Sequence, residues 1–105
     1  MNNTFRVTQD RNTLYVEGQC ATSYPGYDFK VESITVNNDN TLDIVINVFD
    51  PNPGCVKLCV IGEVDIEFEL NLDDLAGYNG QELRAVHFKT PGAFGADADV
   101  DVDQA

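Results

Sequence analysis

The residues with the most reactive side chains are Cys55 and Cys59, which close the stretch "FDPNPGCVKLC" (Phe49 to Cys59), together with Cys20 and the single histidine, His87. On a helix, thiols four positions apart would be neighbours and could clip a metal or cycle as a redox pair. On a strand their Cα atoms would lie roughly 13 Å apart at about 3.3 Å per residue, beyond the roughly 7 Å reach of a disulfide. "CVKLCVI" is rich in β-branched residues and follows a Pro-Gly turn, so the strand reading is preferred. Cys55 and Cys59 then become small side chains packed beneath a hairpin, and Cys20 is the one thiol with a cross-strand route to either. Three cysteines are too few for a disulfide-scaffolded secreted domain, and reduced thiols are expected.

His87, in "RAVHF", has no sequence-visible nucleophile beside it, and it is a poor basis for a zinc site. Glu63, Asp65, Glu67 and Glu69 alternate in "EVDIEFEL", a spacing of roughly 6.6 Å that invites a glycosidase or calcium reading. The chain has no tryptophan to build a sugar platform, so a solvated acidic face is the preferred reading. Asp97, Asp99, Asp101 and Asp103 echo the start of a calcium loop without its central glycine or distal glutamate, which supports at most weak divalent-ion binding. No phosphate loop, metal-ligand set or nucleophile elbow occurs. Neither catalytic residues nor a cofactor or metal is expected.

The elements that would carry these residues are strands. "EVDIEFEL" puts Val64, Ile66, Phe68 and Leu70 on one face and its four acids on the other. "TLDIVINVF" does the same with Leu42, Ile44, Ile46 and Val48, and Val45 and Phe49 on its second face suggest a more central place. In "YDFKVESITV" the step from Val31 to Ile34 predicts a bulge, and "NNDN" predicts the turn that follows. "FRV", "LYVEGQ", "CVKLCVI" and "ELRAVHFK" bring the total to about seven strands. "LDDLAGYNG" allows one helical turn capped by Asp73 or Asp74 and stopped by Gly77 and Gly80. The expected fold is an all-β antiparallel sandwich, immunoglobulin-like or a small barrel, over residues 1–90. "PGAFGADADVDVDQA", residues 91–105, reads as a flexible acidic tail.

The chain has 105 residues, 18 acidic and 6 basic, for a formal net charge of −12. Such a surface excludes direct binding to nucleic acid and to anionic lipid. A macromolecular partner is expected to be a basic protein. No apolar run spans a bilayer and the start lacks signal-peptide character, which favours a soluble chain with a slight lean to the cytoplasm. "DPNPG" makes a rigid exposed loop, because Pro51 and Pro53 fix φ and Gly54 tolerates unusual φ. With "SYPGYDF" it offers Tyr24, Pro25, Tyr27, Phe29, Pro51 and Pro53 as partner-binding residues. The leading functional expectation is therefore a non-catalytic protein-binding module. The concentration of acids after residue 62 gives two alternatives: a nucleic-acid mimic that blocks a basic groove, as a phage-encoded anti-defence protein would, or the general acidity of a saline habitat. A virion or surface subunit is a further alternative.

From Pro25 to about Leu70 the chain resembles the PrcB-like protease-complex accessory domains. The resemblance rests on Gly26 and Tyr27, the strand "FKVESITV", the turn "NNDN", the strand "LDIVINVF", and Pro51, Pro53, Gly54 and Cys55. It implies a non-catalytic domain that binds, stabilises or inhibits a protease. "VKLCVIG" departs from the polar or threonine-rich segment that the family pattern has after its cysteine.

Overall fold

The computed structural model describes residues 4–57, 60–94 and 97–105. Seven strands form one mixed sheet: β1 Thr4–Asp10, β2 Thr13–Thr22, β3 Asp28–Val36, β4 Thr41–Phe49, β5 Gly62–Asn71, β6 Ala85–Lys89 and β7 Ala98–Gln104, in the order β3-β4-β6-β7-β1-β2-β5. The sheet curls so that its edges β3 and β5 touch again, which makes a nearly closed barrel 47 × 23 × 20 Å in extent. The barrel alternative is thus the one realised.

Alternation decides which side chains enter the barrel. Leu42, Ile44 and Ile46 of β4, Val16 of β2, Val7 of β1, Ile66 of β5 and Phe88 of β6 are all within 1% of complete burial. Phe5 and Phe88, from the two strands that flank β7, stack inside the barrel with centroids 4.1 Å apart. Gly18 makes room for this stack: it faces Phe5 in the β1–β2 ladder, and a Cβ there would lie 2.6 Å from the Phe5 ring. The bulge in β3 falls between Val31 and Ser33, where the alternation breaks. The "NNDN" turn places Asn40 at φ 63°, a conformation asparagine tolerates well.

Three sequence expectations are corrected. The sheet is not purely antiparallel, because β4 pairs parallel with β6 and β1 with β7. Parallel partners need a long crossover, and the chain between β4 and β6, which includes β5, supplies one. Next, Cys55 to Lys57 and Val60 to Ile61 lie outside any strand, while Leu58 and Cys59 fall outside the described residues. The predicted "CVKLCVI" strand is therefore absent over its described part. The 3-10 turn spans Leu72–Asp74 and is capped by Asn71, not by Asp73 or Asp74.

The largest correction concerns the acidic C-terminus. Ala98–Gln104 is a strand inside the sheet, antiparallel to β6 and parallel to β1. Its aspartates point outward and Val100 and Val102 pack against the core. A buried polar network holds its end. Gln9 is 3% exposed and its Oε1 accepts from the Leu83 amide (2.8 Å) and from Gln104 Nε2 (2.9 Å). The Ala105 amide donates to the Gln9 carbonyl at 2.9 Å. A segment anchored on both flanks and at its end is not a tail.

Candidate functional site

Six strand ends (of β2, β3, β4, β5, β6 and β7) converge at one pole of the barrel, where the described parts of three loops lie: 23–27, 50–57 with 60–61, and 90–94 with 97. Gly62 lets the first loop settle on the base of β5, since a Cβ would meet the backbone of Tyr24 and Pro25 at 2.5 Å. Gly92, at φ 92°, lets the third loop lie on β4, where Pro91 accepts the Val48 amide at 2.9 Å.

A polar clasp joins the first two loops. The Tyr24 hydroxyl donates to Asp50 Oδ2 at 2.5 Å, and Lys57 Nζ lies 2.9 Å from the same oxygen. The Asn52 amide donates to Asp50 Oδ1 at 2.8 Å, and Lys57 also donates to the Asn52 carbonyl. Lys57 sits 5.4 Å above the Tyr24 ring, which in turn meets Tyr27 edge-on at 4.9 Å. The Asp50 side chain is only 10% exposed, so its charge needs these donors.

The clasp perturbs both ionisable partners. The hydrogen bond from Tyr24 is the largest influence holding the Asp50 carboxyl below its ordinary range, and Lys57 adds to it. The same bond to Asp50 is the first cause raising Tyr24 well above an ordinary phenol, followed by Tyr27 and desolvation. A depressed carboxyl contributes stability above its unfolded pKa of about 3.9 and loses it as pH falls through the lower folded value. A raised phenol contributes stability below about 10 and loses it as pH rises through the higher folded value. The clasp is therefore intact from about pH 4 to at least pH 10. In a 295 nm titration, wild type minus Tyr24→Phe should show a phenol ionising well above pH 10, and Asp50→Asn should move it down toward the ordinary range. Ionisation of Tyr24 near pH 10 in the wild type would contradict the clasp.

Around the clasp the surface is apolar and open. Val56 is fully exposed, and Val60, Ile61 and Phe94 are each about half exposed at 56%, 58% and 46%. Phe94 is held there by its amide, which donates to the Ala21 carbonyl at 2.8 Å.

The six expected partner-binding residues divide among three places. Tyr24 and Tyr27 are half-buried in the clasp, and Pro25, Pro51 and Pro53 are exposed on the two loops it joins. Phe29 is a strand residue of β3, half-buried, with its ring 6.5 Å from Phe68 of β5. Val56, Val60, Ile61 and Phe94, the exposed large apolar side chains of this pole, were not among the expected residues. Their signal was an apolar residue without strand alternation next to Pro and Gly.

Glu63, Asp65, Glu67 and Glu69 are exposed along β5, on the barrel wall. Glu67 faces Glu17 across the β2–β5 ladder, an arrangement of like charges that costs stability. The two edge a shallow depression of about 620 Å³ that also touches Arg6, Thr8, Tyr15 and Glu69. His87 Nδ1 lies 2.7 Å from Asp99 Oδ1 on the outer wall. Among the described residues no cluster of three His, Cys, Asp or Glu side chains is arranged to hold a metal. Cys20 and Cys55 are both free thiols, the first buried and pushed up to about 11 by desolvation, so no bond joins them. No described helix is long and apolar enough to cross a membrane.

Comparison with protein-family models, with curated proteins and with solved structures finds no match.

Proposed function

We propose that the protein is a non-catalytic binding module that captures a partner protein on its loop pole. The observation that carries this reading is the clasp: Tyr24, Asp50 and Lys57 fasten two loops into one platform, and Val56, Val60, Ile61 and Phe94 stand exposed around it. Loops fixed before binding lose little conformational entropy on association, and exposed apolar side chains supply its driving force. The resemblance over residues 25–70 suggests a protease or protease complex as the partner, and the net charge favours one with a basic surface.

The test is quantitative capture from the native host lysate with Val56→Asp/Phe94→Asp beside the wild type. A protein retained by the wild type and lost by the double variant, with equal melting temperatures, supports the reading. Equal retention by both removes it.

The nucleic-acid-mimic reading keeps one supporting observation: Asp99, Asp101 and Asp103 stand in a fixed row on β7, as the β5 acids do on β5. Capture by such rows would fall steeply between low and high salt, whereas capture by the pole would change little. Tyr24→Ala loosens the clasp as well as removing a ring, which makes the fully exposed Val56 the cleaner probe.

A further inference from the structure

The sheet does not quite close, and the seam has a definite character. Following the strand pairings around the sheet, β3 and β5 run in the same direction. Neither pairs with another strand along its outer edge among the described residues. An unpaired edge is a template for another chain, and proteins ordinarily blunt it with lysines, prolines or bulges. β3 has both a bulge and Lys30, whereas β5 is a regular ten-residue strand with no proline.

The core is also thinnest at this seam. The inward residues of β4 are at most 2% exposed, but Phe29, Val31, Ile34 and Val36 of β3 and Phe68 and Leu70 of β5 are only partly buried. They form two apolar rows, one on each side of the opening.

The outward face of β5 fixes the charge of whatever would cover it. Among the described residues Glu63, Glu67 and Glu69 have no cationic partner, and Asp65 accepts only from Gln19 at 2.9 Å. A second copy pairing β5 to β5 would set two carboxylate rows against each other, so self-association through this edge is disfavoured.

We propose that the open edge of β5 takes an added strand: an extended segment of a basic partner protein, antiparallel to β5. Its apolar side chains turn into the seam, and its alternate lysines or arginines turn out over the β5 carboxylates. Main-chain hydrogen bonds to the edge supply affinity, and the alternation supplies specificity. This site is on the barrel wall and does not depend on the loop pole.

The probe is a capped nine-residue peptide alternating lysine with valine and isoleucine, titrated into labelled full-length protein and followed by amide NMR. Saturable shifts along Glu63–Glu69, with Val56, Ile61 and Phe94 unmoved, are expected. N-methylation of one alternate set of peptide amides should weaken binding at least about tenfold more than methylation of the other set, because only one set faces β5. Glu67→Lys/Glu69→Lys, checked by its melting curve, should also weaken it at least about tenfold. The proposal is overturned if neither methylated peptide differs from its parent, if a peptide with the lysines grouped at one end binds equally well, or if the shifts fall on the pole. A chain that dimerises through β5 would overturn it too.

Discussion

A chain ending at Asp97 is expected not to fold. Removing β7 deletes the strand between β6 and β1, so two ladders vanish from the middle of the sheet rather than one from its edge. Val7, Val86 and Phe88, now fully buried, would face a slot in the wall. Gln9, 3% exposed, would lose its Gln104 donor. A domain of this size has a net stability of only about 5–15 kcal/mol, and an opened core exceeds that margin. The truncated chain should give no cooperative thermal transition. Asp99→Asn/Asp101→Asn/Asp103→Asn, which keeps the strand and removes its charge, should still melt cooperatively. A 1–97 chain melting within about 5 °C of the full-length protein would show that β7 is dispensable.

The second large effect is expected at Phe88, which is completely buried on β6 and stacked within 8° of parallel on Phe5 of β1, the strand on the other side of β7. Phe88→Ala removes the ring and leaves a cavity that the surrounding strands cannot close. The expected loss is about 3–5 kcal/mol, about a fifth or more of the whole stability, with a fall in Tm of roughly 12 °C or more. Phe5→Ala should cost less because Phe5 is only partly buried. The double variant should lose less than the sum, since the stack can be lost once. Chemical denaturation of the four proteins measures this cycle. A loss below about 1 kcal/mol for Phe88→Ala would contradict the stacked core.

These two predictions also separate what the residues announced from what they concealed. Period-two alternation with β-branched and aromatic residues identified β4 and β5 directly, and a break in that alternation located the bulge in β3. The same alternation is present in β7, where Ala98, Val100 and Val102 alternate with Asp99, Asp101 and Asp103. Small apolar residues bury little area and aspartate is a poor strand former, so the composition resembled a solvated tail. Its stability comes from flanking strands that are remote in sequence, Val7 pairing with Val102 for example. "CVKLCVI" misled in the opposite direction: it has β-branched residues, but Val56 is fully exposed and its described residues lie outside any strand. The count of seven therefore agreed through one strand lost and another gained.

At the site, the turn chemistry of the two loops was legible and their union was not. Tyr24 and Asp50 are 26 positions apart, and no periodicity links a tyrosine in one loop to a carboxylate in the other. The barrel brings them together by pairing the start of β3 with the end of β4, Asp28 opposite Phe49. The sequence marked Tyr24 and Tyr27 as partner-binding residues; the structure places both, half-buried, in the clasp, while Val56 and Phe94 are more exposed. Phe29 belongs to the seam, where its ring meets Phe68.

Binding through the pole is tested most directly by methyl and amide NMR of labelled protein saturated with the captured partner. The expected result is that the signals of Val56, Val60, Ile61 and Phe94 shift or broaden together while the Tyr24 hydroxyl stays bonded to Asp50. A complex that forms at full occupancy and leaves all four signals unmoved would contradict it.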